Sequence, residues 1–183
     1  GSIDLTGTKL PELPRFGMRM ELHQPYENLT YYGRGPFENY IDRYSGAFIG
    51  RYEDKVENQF YWYIRPQETG NKTDVRWLTL LDSGGLGVKI TGLQPISFSA
   101  LHFSPEDLDP GLTRKLQHTI DIVPQKNIFL HVDLKQRGLG GDNSWGMYPH
   151  NEYRLLDKKY TYSYMIELVE KGSDKNDYLN SRK

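Results

Sequence analysis

Apolar and polar residues alternate along much of this chain, and a period of two commits a backbone to extended strands that pack by one face. Phe16, Met18, Met20 and Leu22 interleave with Gly17, Arg19, Glu21 and His23, so one side of that segment is buried and the other wet. The same reading predicts strands over residues 28–32, 59–64, 75–81, 86–90, 96–102, 116–123, 128–134 and 160–169. Aromatic residues make up 13% of the chain, which suits a pleated, half-buried surface. Turn signals separate the runs: Asp82-Ser83-Gly84-Gly85, Pro95, and residues 124–127 and 156–159. Many strands with such punctuation predict an all-β sandwich. One helical turn is expected at Ser104–Leu108, where Ser104 caps, Pro105 suits the first helical position and Asp107 closes a capping box; Pro110-Gly111 keeps it short.

At 183 residues the chain is long enough for one domain with a sizeable core, or a large piece of a bigger one. Its 23 basic and 24 acidic residues leave a net charge of −1, and neither sign gathers into a block. That argues against a nucleic acid or an anionic membrane recognised by bulk charge. The absence of cysteine excludes disulfides, thiolate catalysis and cysteine-ligated zinc. No apolar run approaches a membrane span, and Gly1-Ser2-Ile3-Asp4-Leu5 has neither the basic nor the apolar region of a signal peptide. The Gly-Ser opening without methionine suggests an artificial start, with any targeting information cut away and the compartment undecided. Residues 1–12 read as a linker segment, 13–170 as the folded unit, and the polar tail 171–183 as disordered.

Two stretches stand out from the strand pattern. Gly138-Leu139-Gly140-Gly141-Asp142-Asn143-Ser144-Trp145 concentrates glycines and small polar residues where a strand pattern stops, and delivers one large aromatic ring. Tyr32-Gly33-Arg34-Gly35-Pro36-Phe37-Glu38-Asn39-Tyr40-Ile41-Asp42-Arg43 also mixes turn formers, charges and aromatics. Trp145 can be a platform for a ligand, and a loop tryptophan is as often a plug that caps a sandwich. Asp142 can accept hydroxyl hydrogen bonds, although a brace that holds the loop through backbone N–H groups is the favoured reading, and Asn143 and Ser144 can do the same work.

Together these stretches resemble the C-terminal small-chain domain of the large bacterial β-galactosidases of glycoside hydrolase family 2. Leu13-Pro14-Arg15-Phe16-Gly17, Arg65-Pro66-Gln67-Glu68-Thr69-Gly70, Arg76-Trp77 and the strand-like run from Ile128 to Leu134 support the resemblance in the family's order. It covers roughly residues 13–170. What it implies is a galactose-mutarotase-like supersandwich of two packed, mainly antiparallel sheets, of which this chain is the C-terminal part. Strands left unpaired by such a truncation would favour a homo-oligomer. It further implies a non-catalytic domain that packs against the other domains of a parent enzyme hydrolysing terminal β-D-galactosides. In that family the loop tryptophan, here Trp145, reaches the β-galactoside in the active site. Asn143 stands where relatives often carry another acidic residue. Mg²⁺, with Na⁺ a further candidate, would be held mainly by the other domains, and no cofactor by this chain.

The carboxylates Glu38 and Asp42 lie close in sequence, but a retaining glycosidase needs two carboxyl groups about 5–5.5 Å apart across a sugar. The resemblance places both catalytic glutamates in another domain. Arg34, Glu38, Asn39, Asp42 and Arg43 then read as a network fixing a loop or an interdomain contact. Glu68 with Arg76 resembles a salt-bridged motif with a stabilising role. His131 and Asp133 share a strand face and could recruit His102 or His118 to a metal, yet no dense ligand motif accompanies them. Two other classes compete with the accessory-domain reading. A self-contained mutarotase-type aldose epimerase would need a His and a Glu converging in the cleft of a sheet. A carbohydrate-binding module would need Trp62, Trp77 and Trp145 on one surface, whereas alternation places Trp62 and Trp77 in strands and favours their burial.

Overall fold

The computed structural model describes residues 1–10, 12–109, 111, 117–141, 143 and 145–170. Nine strands follow one another: β1 (Ser2–Asp4), β2 (Arg15–Leu22), β3 (Asn28–Gly35), β4 (Phe48–Lys55), β5 (Lys72–Leu81), β6 (Gly87–Leu101), β7 (Ile128–Gln136), β8 (Lys159–Thr161) and β9 (Tyr164–Val169). All pairings are antiparallel. Seven strands form one sheet in the order β2-β7-β6-β5-β3-β4, with β9 added to β6, and β1 with β8 forms a second, two-stranded sheet. The all-β sandwich class expected from alternation is what the chain adopts. The helix α1 (Pro105–Leu108) carries the expected capping box between Ser104 and Asp107.

The central strand is β6, long enough to serve two neighbours in succession. Its first half, residues 87–92, pairs with β9, and its second half, residues 97–101, pairs with β7, while β5 accompanies both. The handover falls where β5 advances from Val75 to Trp77 while β6 runs from Thr91 to Ile96, so β6 bulges there. Pro95, expected as a turn between two strands, sits in this bulge, where the N–H it lacks is not called on.

The core lies on one face of the large sheet. Leu29 and Tyr31 of β3, Leu78 and Leu80 of β5, Phe98 and Ala100 of β6, and Leu130 and Val132 of β7 are all buried there, as a period of two requires. The small sheet closes this core at the β2–β7 end: Phe16 meets Tyr160 and Tyr162 with ring centroids 5.7 and 5.4 Å apart, and the Tyr162 hydroxyl donates to the Val132 carbonyl at 3.0 Å. The segment expected as a linker therefore contributes a strand, because Ser2–Asp4 pairs with β8.

Two strand expectations are corrected. Residues 59–64 form no strand: Phe60 is buried against Leu101 and Phe103, but Tyr61, Trp62 and Ile64 project into solvent. Within 116–123 the described part holds a 3-10 turn at Thr119–Asp121, with Ile120 and Val123 exposed. Among the described residues no helix is long and apolar enough to cross a membrane.

Lys72 is the costliest core residue. Its side chain is 2% exposed, and its ammonium donates to Gln59 Oε1 at 2.9 Å and to the Gly70 carbonyl at 3.2 Å. Burial outweighs the attraction of Glu38 and Asp54 and brings its pKa down to about 8. The unfolded chain then binds the proton more tightly than the fold does, so the Lys72 contribution grows as pH rises from 8 toward 10. Urea unfolding at pH 8 and 9.5 should show a gain on the order of 1 kcal/mol linked to this residue, and Lys72→Met should lack it. An equal gain in the variant would assign it to another group.

Candidate functional site

Asn39 is fully buried, yet every hydrogen-bonding position of its side chain is filled. Nδ2 donates to the carbonyls of Arg34 at 3.1 Å and Phe37 at 3.0 Å, while Oδ1 accepts from the Thr73 N–H at 2.9 Å and its hydroxyl at 2.5 Å. Its main chain is also paired with Asn71, through the Asn71 carbonyl and side-chain amide, each at 2.8 Å. The loop after β3 is thereby fastened to the start of β5. Arg34 adds a second tie, donating from Nε to Asp74 at 2.5 Å and from Nη1 to the Ala47 carbonyl at 3.0 Å.

Glu38, next to Asn39, turns to the other side and joins the loop to residues 61–70. Its carboxylate accepts from Arg43 at 2.6 Å, from the Gly70 N–H at 2.8 Å, from Thr69 at 3.2 Å, from Tyr40 at 3.3 Å and from the Tyr63 hydroxyl. A carboxylate with five donors is a fastening and not a free acid or base. Burial pushes the Tyr40 and Tyr63 phenols above their ordinary range, and the neighbouring Glu38 charge adds to this. Both remain neutral donors at ordinary pH.

Asp42 reaches the glycine loop. Its Oδ2 accepts the Gly140 N–H at 2.7 Å, and a Cβ added to Gly138 would stand 2.6 Å from the Asp42 carboxyl carbon. Gly138 is needed for that close approach, as Gly141 is for the approach of the Met147 carbonyl; the positive φ in this region falls instead at Gly146. Asn143 Oδ1 accepts the Trp145 N–H at 2.8 Å, so Asn143 is the Asx brace. Asp142 and Ser144 lie outside the described residues. Trp145 itself is 93% exposed and caps nothing among the described residues.

The structure thus gathers Arg34, Glu38, Asn39 and Arg43 around the loop after β3, and from that loop Asp42 reaches Gly138 and Gly140 of the Trp145 loop, where Asn143 holds the Trp145 N–H. Glu68 and Arg76 are not joined: Glu68 meets Arg15 at 3.2 Å, whereas Arg76 donates to the Asp74 carbonyl and lies over the Tyr32 ring. The pairing fails because Arg76 is on the exposed side of β5 and Glu68 packs toward β2 and β7. His131 and Asp133 do share a face, but Asp133 is held by Arg15 at 2.6 Å, His131 by Ser99 at 3.3 Å and His102 by Glu27 and the Asn127 carbonyl, each at 3.1 Å. Trp62 is 61% exposed in a loop, against the expectation of burial in a strand. Tyr63, Thr69 and Thr73 were missed as members of the network, since nothing in the sequence pairs them with a loop some thirty positions earlier.

A family model described as the β-galactosidase small chain matches residues 1–166. The β-galactosidase of Priestia megaterium is 38% identical over 159 residues, covering 86% of this chain and 15% of that protein. That of Streptococcus thermophilus is 37% identical over 160 residues, again 86% of this chain and 15% of that protein. That of Lactobacillus delbrueckii subsp. bulgaricus is 36% identical over 148 residues, 80% of this chain and 14% of that protein. The chain therefore spans about one seventh of the length of the relatives it matches.

If Asp42 sets the loop, substitutions there should be graded. Gly138→Ala drives a methyl into the Asp42 carboxyl and should cost about 1–3 kcal/mol in urea unfolding, whereas Gly140→Ala, whose Cβ would stand 3.2 Å from the end of the same carboxylate, should cost less. Equal losses would mean that the loop is not shaped by Asp42.

Proposed function

Because the chain belongs to the β-galactosidase small-chain family, we propose that it is a non-catalytic domain of a longer β-galactosidase, to which it lends Trp145 as a ring for the sugar. The observation that carries this reading is the placement of Trp145. A solvent-exposed indole stands on a loop braced by Asn143 and Asp42, held ready at no cost in ordering. The C–H face of a galactoside can lie on such a ring while its hydroxyls bond elsewhere. Asp142 is the second candidate for sugar contact in this reading.

The parent reaction is the retaining hydrolysis of terminal β-D-galactosides through a galactosyl-enzyme intermediate, with both catalytic carboxylates supplied by other domains. Glu38 supports this division of labour, since its oxygens are already committed to donors within the chain. In this reading the Mg²⁺ of the parent, with Na⁺ a further candidate, is held mainly by the other domains. Exposed Phe37, Phe48, Tyr61 and Tyr148 supply apolar surface for packing against those domains. The two sheets are then a portion of the parent's supersandwich, and the open edges of β4 and β9 are where neighbouring strands or a second subunit would pair.

Galactoside kinetics of a full-length enzyme carrying this chain, with and without Trp145→Ala, test the proposal. The variant should lose about tenfold in kcat/KM, ~1.4 kcal/mol of transition-state binding, mainly through KM, and the chain alone should show no turnover. Unchanged kinetics would reduce Trp145 to a packing residue. Interconversion of sugar anomers by the isolated chain would move the assignment to an aldose epimerase.

A further inference from the structure

The face of the large sheet turned away from the core carries a cleft of about 730 Å³. Ligand pockets for small molecules run about 300–1,000 Å³, so the space takes one or two sugar rings. Its floor comes from neighbouring rungs of β6 and β7, where Leu101 pairs with Phe129 and Ser99 with His131; the next rung, Ser97 with Asp133, lies beyond the lining. Side chains on paired rungs share a face, so the floor grades from apolar to hydroxyl and imidazole. A β-bulge at Phe16/Gly17 and the missing side chain of Gly17 leave room for Asp133, which Arg15 holds together with Glu68. One wall is the Arg65-Pro66-Gln67-Glu68 run, and α1 with Phe103 forms the opposite one. Trp145 is not among the lining residues.

Three features identify the class of ligand. The charged groups at the cleft cancel: Arg65 and Arg137 stand against Glu68 and Asp109, so nothing selects a strongly charged molecule. Donors and acceptors are both present and partly uncommitted, since Arg65 and Gln67 make no hydrogen bond or ion pair among the described residues. His131 stays a neutral imidazole, its pKa brought down to about 4 by burial and by the Arg15 and Arg19 charges, so it can both accept and donate. Aromatic surface lies alongside, with Phe129 in the floor and exposed Trp62 edge-on to Phe103 at 6.4 Å between ring centroids. A neutral polyhydroxylated ring meets all three conditions; a carboxylate or phosphate leaves Glu68 and Asp109 opposed to it.

We propose that this cleft, between the Arg65–Glu68 wall and the Ser99–His131 floor, is a binding site for a neutral saccharide, separate from the Trp145 loop. The site stands whether or not Trp145 meets a sugar. Nuclear magnetic resonance of the 183-residue chain, following the His131 ring and the Gln67 side-chain amide, tests it with D-galactose, D-glucose and lactose, and with sodium galactonate as the charged comparison. Saturable shifts at both residues are expected with at least one neutral sugar, unchanged in Trp145→Ala. They should be weakened about tenfold or more in the Arg65→Ala/Gln67→Ala double variant. Both of those wall residues are exposed, so circular dichroism and melting should confirm that the double variant stays folded. The proposal is overturned if none of the three sugars shifts these signals, if galactonate binds better than galactose, or if binding is lost in Trp145→Ala and kept in the double variant.

Discussion

A buried primary amide must fill four hydrogen-bonding positions or cost the fold dearly, and Asn39 fills them from two segments, the end of β3 with its loop and the start of β5. That one residue decides where the loop after β3 lies relative to β5. Once Asn39 is seated, Glu38 has to face residues 61–70 on one side, and Asp42 has to face the glycine loop after β7 on the other. Neither aspartate nor leucine could replace it: the first loses two donors, the second all four bonds. Trp145 lies at the far end of this dependence, its N–H held by Asn143 Oδ1 on a loop whose Gly140 N–H is held by Asp42.

The two faces of the large sheet are used differently, and β6 shows how. Phe98 and Ala100 belong to the core, while the alternate residues Ser99 and Leu101 face the cleft. A strand buried on both sides would ordinarily be apolar throughout, as in sheets with covered faces. Here the second face stays polar because Arg15, Asp133, His131 and Ser99 satisfy one another across it. Burial lifts the Glu68 and Asp133 carboxyls above their usual range and Arg15 pulls them back, so the charge cluster is held by its geometry and not by solvent.

Strands that divide a buried face from a wet one were legible in the sequence, and those that do not were lost. β3 and β7 appear with their observed starts and β5 with its observed end because Leu29/Tyr31, Leu130/Val132 and Leu78/Leu80 impose the period. β4 was missed: it is an edge strand whose residues are mostly exposed, so Ile49 to Lys55 has no apolar face to advertise. The opposite error at Phe60 to Ile64 has the same root, since five large apolar or aromatic residues in a row looked like a buried strand. Of these five only Phe60 is buried; Tyr63 is tied to Glu38 by its hydroxyl, and Tyr61, Trp62 and Ile64 are exposed. The glycine and Asn39 loops were legible as shaped loops, but their partnership was not. Asp42 and Gly140 lie 98 positions apart, and a single sequence carries no signal for such a pairing.

An exposed indole contributes nothing to the stability of the chain that carries it, and a shaped loop costs conformational entropy to maintain. The chain nonetheless devotes Asp42, Asn143 and the close approach at Gly138 to keeping this loop in one form. A flexible loop would have bound a partner surface too, but with the ordering cost subtracted from every encounter. Fixing the ring beforehand moves that cost into folding, where the Asn39 and Glu38 networks offset it. The arrangement is therefore one in which the interior of this domain fixes the form of a loop on its surface.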